Sequence, residues 1–200
     1  MREPSTGPYK LAIYGGEPVR PSNLPYGRQT MAEEDIEAVV EVLRSDWLTT
    51  GPKVREFEEA VADYAGTCYA VAFSSGTAAL HGAAFAAGLE PGDEAITTPM
   101  TFCATSNCVL YMGAKPIFAD IVPDTLNIDT DKVAERITPR TKAILPVDFA
   151  GHPVDLDGIL ELADQHGLVV IEDAAHALGA EYRGRKVGGI SHMTMFSLHP

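Results

Sequence analysis

Residues 168–179 read LVVIEDAAHALG, and this stretch decides the fold. Leu168, Val169, Val170 and Ile171 form a short continuous apolar run, the pattern of a strand buried on both faces of a parallel sheet. The run ends on two acids, Glu172 and Asp173, and passes directly into Ala174, Ala175 and His176. Ligands of open α/β sheets bind just beyond the carboxyl ends of the strands, so an acid closing such a strand is aimed at the site. One chemistry that needs a buried carboxylate there is that of pyridoxal phosphate (PLP), whose pyridine nitrogen must stay protonated for the ring to accept electrons. The plainer reading has equal claim on this stretch alone: Asp173 caps a following helix.

Working outward, strand and helix patterns alternate. Residues 156–166 read as a helix leading into the central strand, and residues 142–147 as the strand before it, ending at Asp148. Further upstream, strands are expected at 69–73, 94–98 and 115–120, with helices at 101–113 and 131–137. Ser74, Ser75, Gly76 and Thr77 stand at a strand-to-helix junction, where small residues let backbone N–H groups approach an anion. The same residues also make an ordinary helix start, and no Gly-Lys-Ser/Thr follows to make a Walker loop. Phe102 falls at another strand end, where it either stacks on a flat ring or packs in the core. Four junctions thus carry ligand-type groups: Gly76-Thr77, Phe102, Asp148 and Asp173-His176. Their convergence on one edge of one sheet is the expectation that makes a pocket.

Two amphipathic helices precede this alternation. Thr30 and Glu33 have capping-box spacing, followed by Ile36, Val39, Val40 and Leu43; Val54, Phe57, Val61 and Tyr64 form a second apolar stripe stopped by Gly66. Between them, Asp46, Trp47, Leu48, Thr49, Thr50, Gly51 and Pro52 read as a turn, with pocket lining as the lesser reading. Residues 1–25 are rich in Pro and Gly and read as an arm; residues 26–200 form the domain. After the central stretch, residues 181–189 predict a polar hairpin or turn, with Arg183, Arg185 and Lys186 as solvated charges.

Composition narrows the classes. The chain has 200 residues, 46% hydrophobic and 22% charged, ordinary for a globular domain with a sizeable core. A net charge of −13 argues against a nucleic-acid partner. There is no run of eighteen apolar residues for a membrane span, and the start, MREPSTGPYK, lacks a signal-peptide core, so a cytoplasmic location is expected. Cys68, Cys103 and Cys108 are odd in number without CxxC spacing, so buried free thiols are expected, with no disulfide and no metal set.

Several stretches together resemble the DegT/DnrJ/EryC1/StrS family of PLP-dependent sugar aminotransferases, of aspartate-aminotransferase (type I) fold. They are LTTGP at 48–52, SGT at 75–77, GDEAITTP at 92–99, TPRTKAI at 138–144, IEDAAHA at 171–177 and FSLHP at 196–200. The resemblance runs from about Tyr26 to the end and is greatest to members that aminate C4 of a UDP-linked 4-keto-6-deoxy-N-acetylhexosamine toward pseudaminic acid. Sister enzymes on other nucleotide sugars share most of the motifs.

The resemblance implies an α/β large domain, a mainly parallel sheet with helices on both faces, without the later strand or the small domain. It implies that Asp173 pairs with the pyridinium nitrogen of PLP and that His176 lies near the ring's phenolic oxygen. By the same resemblance Phe102 stacks on the ring, and Gly76, Thr77 and Ser197 hold the phosphate. Tyr26, Asp46, Trp47, Leu48 and Thr49 match positions that contact substrate or cofactor. Asp148 stands where many members carry His, and no role is assigned to it. The family's Schiff-base lysine would lie two positions beyond Pro200. The implied activity of the full-length protein is transfer of an amine from glutamate to a UDP-linked 4-keto sugar, releasing 2-oxoglutarate, by a homodimer in cell-surface or flagellar glycan synthesis. Two rivals stay open at this point. Sugar 3-dehydratases of the same fold carry histidine in place of that lysine, and a lysine-less member would bind PLP as a non-catalytic scaffold.

Overall fold

The computed structural model describes residues 10–25 and 27–199. Contacts divide the chain into two units, one ending at Arg44 and the other spanning Ser45–His199. The first holds a single 3-10 turn at Ala12–Tyr14, closed by Gly15 at φ 87°, and helix α1, Glu33–Arg44. Its acids Glu33, Glu34 and Asp35 lie in the first turn and Arg44 in the last, as the helix dipole favours. The capping contact is made by Asp35, whose carboxylate accepts from the Ala32 N–H at 2.8 Å; the expected Thr30–Glu33 box lies two residues too early. The apolar stripe Ile36, Val39 and Leu43 is exposed rather than inward.

The second unit is built on five strands: β1 Glu94–Thr97, β2 Lys115–Phe118, β3 Thr141–Leu145, β4 Val169–Asp173 and β7 Met193–Met195. Their order is β2-β1-β3-β4-β7, and every pair is parallel. Helix α2 spans Pro52–Ala65, α3 Gly76–Ala86, α4 Ala104–Tyr111, α5 Thr130–Ala134 and α6 Leu156–His166. Strand alternation sorts the side chains into two cores. Ala95, Ala143, Leu145 and Ile171 pack with Leu80 and Ala84 of α3 and Cys108 and Val109 of α4. Ile96, Ile144 and Val170 pack on the other face with Val133 of α5 and Leu156, Ile159 and Ala163 of α6. The expected parallel sheet with helices on both faces is therefore present. No helix among the described residues is long and apolar enough to cross a membrane.

Several expectations fail for physical reasons. Residues 69–73 form no strand: Tyr69, Val71 and Phe73 are exposed, and the Ala72 N–H donates to Glu58 of α2 instead of a ladder. Strand-type side chains need a neighbouring strand, and no described strand lies alongside this segment. In α2 the stop at Gly66 holds, with φ 72°, but Val54, Phe57 and Tyr64 are exposed and the buried positions are Ala62 and Ala65. Two glycines set this close approach, since a Cβ at Gly188 would meet Ala65 at 2.9 Å and one at Gly189 would run into the Ala65 carbonyl. The hairpin of β5 Glu181–Tyr182 and β6 Arg185–Lys186 is present. Arg183 and Gly184 turn it with φ 50° and 77°, as a tight hairpin requires. Its cations are not merely solvated: Arg183 and Arg185 pair with Asp157, and Lys186 lies 3.5 Å over the Tyr64 ring. Of the cysteines only Cys108 is buried, and burial pushes its thiol up to about 12.

Candidate active site

Asp173 closes β4 and is only 4% exposed. It lies on the α3/α4 face of the sheet, while its neighbour Glu172 lies on the opposite one. Thr105, fully buried in α4, donates its hydroxyl to Asp173 Oδ2 at 2.6 Å, and the Ala175 N–H donates to Oδ1 at 3.2 Å. Burial pushes this carboxyl above the ordinary carboxylate range; the Thr105 hydroxyl, the Ala175 amide and the charge of His176 pull it back. Turns rather than a helix follow at 174–180, so Asp173 has no helix to cap. The capping reading falls away.

The neighbouring elements bring further groups to this edge. Asp173 is in register with Met195 of β7, and the Ala174 N–H donates to the Met195 carbonyl at 2.9 Å. Ser75 caps α3 by accepting the Ala78 N–H at 3.2 Å. The N–H groups of Gly76 and Thr77 belong to the first turn and have no intrahelical acceptor. The start of α3 meets the end of β7 so closely that a Cβ at Gly76 would stand 3.1 Å from Met195 Sδ and 3.3 Å from Ser197 Cβ. Amides, the helix dipole and the Ser197 hydroxyl thus form one small cradle for an anion. Phe102 is 73% exposed, which overturns the core-packing reading. It is tied to Asp173 through Thr105, whose N–H donates to the Phe102 carbonyl at 3.2 Å. His176 is exposed and meets the Phe149 ring edge-on, centroids 6.4 Å apart.

Gly76, Thr77, Phe102, Asp173, His176 and Ser197 are therefore gathered at one edge of the sheet. Asp46, Trp47, Leu48 and Thr49 instead form an exposed loop ahead of α2; its hydrogen bonds are local, the Trp47 N–H donating to Ser45 Oγ at 3.1 Å. Tyr26 lies outside the described residues. Sequence reasoning missed Thr105. A signal was present in Thr101 and Thr105, four apart on either side of Phe102; the two threonine hydroxyls are 2.7 Å from each other. It also missed that Glu172 faces Asp148, for which spacing offers no signal, since the contact depends on how β3 and β4 align.

These groups fit PLP: a buried carboxylate for a ring nitrogen, an exposed aromatic for a flat ring, and the cradle for a phosphate. Comparison with known proteins agrees. Residues 29–200 match the DegT/DnrJ/EryC1/StrS aminotransferase family. The chain is 47% identical over 176 residues to the UDP-4-amino-4-deoxy-L-arabinose–oxoglutarate aminotransferase of Shewanella sediminis, covering 88% of this chain and 45% of that one. The putative sugar aminotransferase Spr1654 of Streptococcus pneumoniae in its PLP form superposes with a TM-score of 0.86 at 35% identity, covering 89% of this chain and 49% of that one. A PMP form of the same protein also matches. PseC of Helicobacter pylori, an aminotransferase involved in the biosynthesis of pseudoaminic acid, gives 0.84 at 38% identity over 89% and 48%. The chain spans about half the length of the curated relatives it matches. It belongs to the DegT/DnrJ/EryC1/StrS aminotransferase family, whose cofactor is pyridoxal phosphate.

Proposed function

We propose that this chain carries the cofactor site of a sugar aminotransferase that aminates C4 of a UDP-linked 4-keto-6-deoxy sugar, with glutamate as donor and 2-oxoglutarate as its product. The observation that carries the reading is Asp173, buried at a strand end and oriented by Thr105 and the Ala175 amide. Support for the finer points comes from relatives: one is named for a UDP-linked 4-amino sugar and for oxoglutarate, and another for the biosynthesis of pseudoaminic acid. The pseudaminic-acid type of substrate is the specific form of the proposal. A homodimer in the cytoplasm completes it.

PLP, when bound, supplies an electron sink for moving the amine. The residues of this chain supply binding and electrostatics. Asp173 would accept the hydrogen bond of the ring nitrogen and would keep that nitrogen protonated. A buried carboxylate next to a cationic N–H loses the burial cost that otherwise raises its pKa. Thr105 keeps Asp173 from rotating out of line. With PLP bound, Phe102 would cover one ring face, His176 would lie near the phenolic oxygen, and Gly76, Thr77 and Ser197 would hold the phosphate.

The test is an assay of the whole protein with a UDP-4-keto-6-deoxy sugar and glutamate. Formation of a 4-amino sugar with an equivalent of 2-oxoglutarate is expected. A 3-deoxy product, or PLP binding without turnover, would replace this reading with the dehydratase or the scaffold.

A further inference from the structure

Asp148 and Glu172 are both 0% exposed and face each other across the ends of β3 and β4. One oxygen of each is engaged: Asp148 Oδ1 accepts from the Val154 N–H at 3.0 Å, and Glu172 Oε2 accepts from the Thr194 hydroxyl of β7 at 2.8 Å. The other two, Asp148 Oδ2 and Glu172 Oε1, are buried with no hydrogen-bond donor. Two buried carboxylates that close cannot both be ionised, and buried acceptors do not stay unpaired. A single proton between the two orphaned oxygens satisfies both at once.

The contact sits at a consequential place. Asp148 begins the loop 148–154, which passes directly beneath His176. Gly151, at φ 84°, comes so near that a Cβ there would lie 2.9 Å from the His176 carbonyl oxygen. Phe149 of the same loop meets the His176 ring. Asn127 braces the loop from outside, accepting from the Phe149 N–H at 3.0 Å and donating to the His152 carbonyl at 2.9 Å. On the inner side the loop's side-chain anchor is Asp148.

We propose that Asp148 and Glu172 share one proton, and that this bond clamps loop 148–154 to β4 and so positions His176. Asp148 is then a positioning residue, acting through the loop. Burial first, then repulsion from Glu172, raises the Asp148 carboxyl to about 8, with Asp173 adding to the same direction; the Val154 amide opposes them. The clamp therefore holds at neutral pH and opens in mild alkali, where two negative charges would face each other. The consequence for His176 rests on the cofactor reading above; the shared proton does not.

The test separates the two. In the protein labelled with ¹³C at aspartate carboxyls, the signal that disappears in Asp148→Asn is expected to titrate well above the ordinary carboxylate range. Asp148→Asn keeps a donor toward Glu172 and an acceptor for Val154, so the protection of the Phe149 and Val154 amides, relative to their intrinsic exchange at each pH, should stay high and not fall in mild alkali as it does in the wild type. Asp148→Ala should speed that exchange at least about tenfold. PLP affinity in the protein should fall above pH 8, but not in the Asn variant. An Asp148 that titrates with ordinary carboxylates, or Asn and Ala variants that exchange alike, would overturn the shared proton without touching the aminotransferase reading. Equal PLP affinity and equal pH profiles in wild type, Asn and Ala variants would overturn the positioning of His176.

Discussion

The two ends of the sheet treat buried acids in opposite ways. At the amino end of β1, Glu94 is buried yet fully partnered: the Thr138 hydroxyl donates at 2.6 Å, and Arg140 donates through Nε at 3.1 Å and Nη2 at 2.6 Å. Those bonds, Thr138 first, hold its carboxyl below the usual range. At the carboxyl end, Asp148 and Asp173 are pushed above it, burial being the first cause for both. The chain could supply a full set of partners at one end, and at the other it leaves carboxyls short of positive charge. An acid completed by its own chain is part of the scaffold. Of the two left short of it, Asp173 faces the cofactor site and is available to a ligand, whereas Asp148 is turned toward Glu172.

The sharpest way to break this contrast is to remove the charge at each end. Asp173→Asn keeps the shape of the side chain, and turnover of the whole protein should fall by about 100-fold or more. Arg140→Ala should leave turnover nearly unchanged while lowering the denaturation midpoint. Steady-state kinetics and urea unfolding of the two variants decide the point, and equal kinetic losses would erase the distinction. Thr105→Val tests how far Asp173 depends on its support. Loss of the buried hydroxyl should cost roughly 2 kcal/mol in urea unfolding, and PLP should bind more weakly.

Stability against pH sharpens the same comparison without changing a residue. Asp148 and Asp173 have folded-state pKa values raised above those of the unfolded chain, so the native state holds more protons between the two values. Without PLP, their contribution to stability must fall as pH rises from the ordinary carboxylate range; for Asp148 the fall ends near pH 8. Glu94 has the opposite sign. Its contribution is present above the unfolded pKa and is lost as pH falls through the depressed folded value. Melting temperatures from acid to mild alkali should show both slopes, and Asp148→Asn should flatten the upper one. The smallest effect is expected at the hairpin: Arg183→Ala removes an exposed ion pair to Asp157 and should cost at most about 1 kcal/mol.

What the sequence made legible follows from the range of the forces involved. The continuous apolar run before Glu172 identified a strand buried on both faces, because that pattern reports burial along one element. Gly66 as a helix stop and residues 181–189 as a polar hairpin or turn were equally local. Residues 69–73 misled because a strand needs a partner that its own side chains do not encode. The face of α2 misled for a related reason: Gly188 and Gly189, far along the chain, make the close approach that buries Ala65. At the site, acids and an aromatic at strand ends were readable, but Thr105 and the facing of Asp148 toward Glu172 depend on register and helix placement.

The order β2-β1-β3-β4-β7 also governs how the chain reaches its structure. No two neighbouring strands in the main sheet are joined by a tight turn, so each ladder forms only after a long loop has closed. The short hairpin of β5 and β6 can zip locally, but it adds nothing to that sheet. Folding is therefore expected to be slow for the chain's size, with an early phase confined to the helices and the hairpin. Until β4 finds a place between β3 and β7, its run of Val169, Val170 and Ile171 stands open to other chains. The strand that organises the site is thus also a segment open to aggregation during synthesis.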